Sequence, residues 1–82
     1  MYLHLGQDIV VKMDEIVGIF DLDTSTISKT TREFLSKAQM AGQVKNITDQ
    51  LPKSFVVCKK KDGGQTVYIS QISSTTLLKR SV

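Results

Sequence analysis

The chain is 82 residues long, 40% apolar and 23% charged, with a formal net charge of +3, one cysteine and one histidine. That length suits a single domain, residues 1–82, built on one modest core, and the composition excludes both a disordered chain and a membrane-embedded one. One cysteine excludes an internal disulfide, and one histidine beside it excludes a zinc site of ordinary ligand number within one chain.

The chain opens with two short strands, residues 2–5 and 9–12, joined by Gly6-Gln7-Asp8 with Gly6 as the turn residue. Its first residues lack the basic start and long apolar stretch of a signal peptide, and no apolar run approaches the ~18 residues that cross a bilayer. A cytoplasmic, membrane-free protein is the expectation. Residues 16–20 are apolar on both alternating faces, the pattern of a strand in the middle of a sheet. With one long helix to cover one face, the other face is expected to meet a second subunit, which places Ile16, Gly18 and Phe20 in an oligomer interface.

Asp23-Thr24-Ser25-Thr26 is rich in cap and turn formers, and helical periodicity then runs over about 28–42. Ile27, Phe34, Leu35, Ala38 and Ala41 form its core stripe, and Gly42 ends it. Thr30 and Glu33 have capping-box spacing, and Ser28 serves equally well as the cap. The opposite side carries Lys29, Arg32, Ser36 and Met40; a solvated polar face accounts for it, with Met40 either scattered exposure or part of the subunit contact.

Residues 44–51 read as a loop or short strand pinned by Val44 and Ile47, and Pro52 bars a continuous helix. A β-hairpin follows at about 54–70, turning on Asp62-Gly63-Gly64, and a short Ser/Thr-capped helix at about 73–80 ends in Lys79 and Arg80, where the helix dipole favours bases. Cys58 lies in the apolar run Phe55-Val56-Val57-Cys58 and reads as a buried thiol. The whole is an α+β fold: a small, mostly antiparallel sheet, one main amphipathic helix, the hairpin and the terminal helix.

Catalytic parts are missing. His4 has no nucleophile partner, Asp21 and Asp23 are accounted for by turn and cap duty, and Gly63-Gly64 lacks the Lys-Ser/Thr of a phosphate-binding loop. No catalytic residue, metal, cofactor or small-molecule ligand is therefore expected. Charge carries more information: residues 1–23 hold five acids against one base, net −4, whereas residues 24–82 hold ten bases against three acids, net +7. Such a basic portion attracts a polyanion. Lys59-Lys60-Lys61, with Lys53 at the start of the same strand, either solubilises the hairpin and protects an edge or neutralises phosphates. One subunit touching three phosphates would bind DNA with a salt slope of roughly −2.7 and a non-specific Kd of ~10⁻⁴ M. Repetition in an oligomer would raise that through effective concentration.

The segments Tyr2-Leu3-His4-Leu5-Gly6, Asp8-Ile9-Val10-Val11, Ile16-Val17-Gly18-Ile19-Phe20-Asp21-Leu22 and Ala38-Gln39-Met40-Ala41-Gly42 resemble the RemA/RemB family of bacterial regulators. The likeness continues through Lys53-Ser54-Phe55-Val56-Val57, Val67-Tyr68-Ile69-Ser70 and the terminal helix, and the Phe20-Asp21-Leu22-Asp23 junction looks closer to the RemB branch. It implies a small α+β fold, ring-like homo-oligomers and binding of promoter double-stranded DNA that activates biofilm-matrix genes. RemA-type members place arginines near the turn between the second and third strands and just before the strand entering the later hairpin. Here those stretches read Lys12-Met13-Asp14-Glu15 and Leu51-Pro52-Lys53-Ser54. Lysine offers a point charge where arginine offers a bidentate fork, so backbone contact replaces close base reading. The expected DNA-binding residues are Lys53, Lys12, Lys59, Lys60 and Lys61, and the expected oligomer interface is Ile16, Gly18, Phe20 and Met40. The competing reading is an oligomeric interaction or scaffold subunit without significant DNA binding, raised by Asp14 and Glu15.

Overall fold

The computed structural model of the chain describes residues 1–22 and 28–80. Strands β1 (Tyr2–Gly6) and β2 (Ile9–Lys12) pair antiparallel. Their alternation turns Leu3, Leu5 and Val11 inward and leaves Tyr2, His4, Val10 and Lys12 outside. The connecting turn needs left-handed backbone at Gly6 (φ 123°) and Gln7 (φ 48°), which explains a glycine at its entry.

A single 3-10 turn, Met13–Glu15, leads into β3 (Ile16–Asp21). Helix α1 (Lys29–Met40) then crosses to β4 (Val44–Asn46), and β5 (Ser54–Lys59), β6 (Gln65–Ser70) and α2 (Ser74–Arg80) follow. The four later strands form a sheet in the order β3-β5-β6-β4, antiparallel except for the parallel β4–β6 pair. The α+β class, the main helix, the hairpin and the short terminal helix stand as expected from sequence, and the ambiguous stretch after α1 contains a short parallel strand.

One expectation is overturned. β3 is an edge strand, and the central position that its apolar pattern suggested belongs to β5, whose Ser54, Phe55, Val56, Val57 and Cys58 are all buried. Two apolar runs competed for the interior, and β5 holds it because it pairs on both sides, with β3 and with β6. β3 is left with Val17 66% and Phe20 40% exposed. A second subunit is also not what covers the sheet face away from α1. The β1–β2 hairpin and α2 do so, joining Leu3, Leu5, Val11 and Leu77 to Val56 and Cys58 in one buried cluster. On the other face Ala38 of α1 meets Phe55, Val57 and Val67, with Phe34, Leu35 and Val44 packed against them.

Caps sharpen the helices. Ser28 occupies the N-cap position of α1 in extended backbone but makes no side-chain cap bond. Thr30 lies inside the helix, so the capping box read from sequence does not form; Glu33 instead approaches Lys29 at 4.0 Å, one turn back. Asp23-Thr24-Ser25-Thr26 and Ile27 lie outside the described residues. Ala41, expected in the stripe, is the exposed C-cap, and Gly42 follows at φ 72°. For α2, Ser73 Oγ accepts a hydrogen bond from the Thr76 N–H at 3.2 Å, and Leu77 is fully buried.

Ser54 and Ser70 face each other across β5 and β6, and both are fully buried. Ser70 Oγ donates to the Leu5 carbonyl at 2.6 Å and accepts from the Ile72 N–H at 3.0 Å, while Ser54 Oγ donates to the Ile72 carbonyl at 2.6 Å. These bonds fasten the end of β1 and the approach to α2 onto the large sheet, so the two sheets share one core.

Candidate nucleic-acid interface

Register sorts the predicted cations into two groups. β5 runs from Ser54 to Lys59, so Lys53 and Lys59 stand about 20 Å apart along the strand at ~3.3 Å per residue. Lys59, Lys60 and Lys61 gather at the hairpin end. There the turn is closed by Lys60 N–H to Gly64 carbonyl (2.7 Å) and Gly63 N–H to Lys60 carbonyl (2.9 Å), with Gly63 at φ 93° and Asp62 Oδ1 accepting from the Gly64 N–H at 2.8 Å.

β3 is antiparallel to β5, so its beginning and the 3-10 turn before it lie at this same end. That brings Lys12, at the close of β2, to Lys60 and Lys61 across some fifty residues of sequence. Lys12, Asp14, Glu15, Lys60, Lys61 and Asp62 line one open cleft of about 320 Å³. Three ammonium groups thus face three carboxylates, and the cleft has no net formal charge. A phosphate reaching it would compete with these acids. Asp62 is the member that sequence reasoning missed, because it served there only as a turn former.

Lys53 sits at the far end, exposed, in a backbone held by its N–H to the Ser70 carbonyl (2.9 Å) and its carbonyl to the Leu22 N–H (3.0 Å). The segment is firmly placed and the side chain is exposed. Across the described residues the predicted DNA contacts thus form a cluster around the hairpin end and one separate lysine, not one contiguous patch.

The predicted oligomer residues also divide. Ile16 packs against the cluster under the β1–β2 hairpin. Gly18 and Phe20 lie on the α1 side, where the Phe20 ring stacks on Phe55 with centroids 5.0 Å apart and planes 18° apart. Register slips between Ile16 and Gly18, so Val17 is the extra residue of a bulge. Val17, Phe20, Thr31, Phe34, Phe55 and Val57 border an open, largely apolar groove of about 330 Å³ between β3 and the first turns of α1. Met40, 86% exposed, is at the opposite end of that helix. Val17 was not singled out from sequence, although a glycine within a strand, here Gly18, is the usual mark of a bulge.

Other chemistry is sparse. Burial, with a smaller contribution from the negative charge of Glu15, pushes the Cys58 thiol up to about 11, so it is a poor nucleophile near neutrality. His4 is exposed, its Nε2 2.6 Å from the Gln7 carbonyl. Among the described residues no group of three or more His, Cys, Asp or Glu side chains is placed to hold a metal ion, and no helix is long and apolar enough to cross a membrane.

Comparison with known proteins gives two matches. The sequence model of the family described as RemA-like, extracellular matrix regulatory protein A-like, matches residues 2–80. Extracellular matrix regulatory protein B of Bacillus subtilis (strain 168) is 42% identical over 81 residues, which cover 99% of this chain and 90% of that protein. Both descriptions are of regulatory proteins.

Proposed function

The chain belongs to the RemA-like family, and from that membership we propose that it is a regulator of extracellular-matrix genes that binds double-stranded DNA in the cytoplasm as a homo-oligomer. The observation that carries this reading is the near full-length likeness to extracellular matrix regulatory protein B. The geometry adds a means. Lys59, Lys60 and Lys61, joined by Lys12, present cations at one end of the sheet, and Lys53 presents another at the opposite end. Each engages phosphate as a point charge, without the paired donors that read a base edge. Because three carboxylates share the cleft, one subunit binds weakly, and affinity comes from many subunits on one duplex.

A second reading is favoured by that same charge balance: an oligomeric scaffold subunit that has given up useful DNA affinity. Titration of a labelled duplex at two salt concentrations separates the two. The regulator gives binding that weakens steeply with salt, and Lys53→Ala loses much of it while keeping the wild-type melting curve. Unchanged affinity in Lys53→Ala removes that lysine from the interface, and no binding at low salt leaves the scaffold reading.

A further inference from the structure

The outer face of the β1–β2 hairpin carries side chains that the core does not use. Strand alternation puts Tyr2 and His4 on it from β1 and Val10 and Lys12 from β2, all exposed, and register sets Tyr2 opposite Lys12 and His4 opposite Val10. Tyr2 is 63% exposed, so its ring is largely uncovered. The backbone beneath these rings is fastened: His4 Nε2 lies 2.6 Å from the Gln7 carbonyl, and the Met13 N–H donates to the Met1 carbonyl at 3.0 Å beside Tyr2. Two rings at alternate positions of one strand stand about 6.8 Å apart along it.

Next to Tyr2 an open hollow of about 380 Å³ is lined by Met1, Tyr2, Lys12, Met13 and Asp14. It combines an aromatic ring, two thioethers, one ammonium and one carboxylate. Those are the groups a nucleotide engages: ring and thioether meet the faces of the base, a carboxylate accepts from an exocyclic amine, and an ammonium meets phosphate. Arg80 adds a second cation at the β1 edge, its Nη1 3.4 Å from the His4 carbonyl. Asp8, the acid of the hairpin itself, lies in the turn at the end away from Lys12. A duplex cannot use such a face, because its bases are already stacked on one another, whereas the bases of a single strand splay onto protein rings.

We propose that the outer face of the β1–β2 hairpin binds single-stranded nucleic acid, with one base on Tyr2 in the hollow, its neighbour on His4, and the connecting phosphates on Lys12 and Arg80. Asp14 then favours cytosine, adenine and guanine, which carry an exocyclic amine, over thymine and uracil, which do not. The site goes beyond the duplex binding of the proposed function, shares only Lys12 with it, and requires no second subunit.

The test titrates labelled oligo(dC), oligo(rC) and oligo(dT) at low salt with wild type, Tyr2→Ala and the double variant Tyr2→Ala/His4→Ala, each checked by a thermal melt. Wild type is expected to bind cytosine oligomers more tightly than oligo(dT), with Tyr2→Ala about tenfold weaker and the double variant weaker still, at unchanged melting. Binding of one sugar form alone identifies the partner as DNA or as RNA. A labelled duplex is expected to bind all three proteins alike, which separates this site from the lysines of the proposed function. No binding of either cytosine oligomer by wild type, or equal binding by Tyr2→Ala, overturns the site even where duplex binding stands, and equal affinity for oligo(dT) overturns the contact with Asp14. Tyr2 and Tyr68 are the two tyrosines, so in Tyr68→Phe the tyrosine emission comes from Tyr2 alone. Oligo(dC) is expected to quench it beyond the loss shown by free tyrosine in the same solution; unquenched emission at saturation overturns the stacking. Should the double variant melt early, Tyr2→Ala and the quenching decide.

Discussion

Cys58 sits under the β1–β2 hairpin with its thiol pushed up to about 11 by burial. A thiol that is harder to ionise in the folded chain than in the unfolded one, where it has its ordinary value of 9.0, keeps its proton longer when folded. Its contribution to stability is intact below pH 9 and is lost as pH rises through about 11. Urea melts at pH 8 and pH 10.5 are therefore expected to show the wild type weakening at the higher pH more than Cys58→Ala does. Equal weakening of the two would remove Cys58 as the cause. Gly18 makes a second residue-level case. A Cβ there would lie 2.6 Å from Cζ of Phe20, so Gly18→Ala must push that ring off its stack on Phe55. We expect a loss of about 1 kcal/mol in a denaturant melt; an unchanged midpoint would mean the ring moves without cost. Cys58 as a buried thiol was legible in its apolar neighbours. The close approach of the Phe20 ring to Gly18 was not, because it depends on how that ring lies in its stack on Phe55.

Among the elements, the hairpin and both described helices were legible because their signals are local: Asp62-Gly63-Gly64 for the turn, the apolar stripe and Gly42 for α1, Ser73 for α2. The rank of strands within the sheet was not. Residues 16–20 and 55–58 are both continuous apolar runs, and the choice between centre and edge depends on which strand finds two partners. The buried serines were equally hidden, since Ser70 meets the Leu5 carbonyl 65 positions away in sequence. Ser70→Ala leaves that carbonyl and the Ile72 N–H without their side-chain partner and should cost about 1–3 kcal/mol. Leu77→Ala, which opens a cavity where α2 meets the core, should cost about 2–5 kcal/mol. Hydrogen exchange would localise both effects: loss of protection confined to α2 in Leu77→Ala would show that the helix docks independently, whereas loss across β1 and β2 as well is what the shared core predicts.

At the scale of the whole molecule, the cations are few and partly offset by acids. Lys12, Lys59, Lys60 and Lys61 are at one end of the strands and Lys53 at the other. A homo-oligomer of the proposed kind would present the hairpin lysines and Lys53 of several subunits to one duplex. A row of weak sites then acts as one strong one, with a salt dependence that grows with the number of subunits on the duplex. The candidate lysines could be named from sequence because charge is visible there; their division between two ends, and the acids interleaved with them, required the register of β5 against β3.

The most direct measurement is a titration of a labelled duplex with wild type and with a triple variant carrying Lys59→Ala, Lys60→Ala and Lys61→Ala, each at low and at physiological salt. Wild type is expected to bind in dilute buffer and to lose affinity steeply as salt rises, with the triple variant at least tenfold weaker in dilute buffer while melting as wild type does. Equal affinity of the two proteins, or no binding by wild type at low salt, would contradict the account.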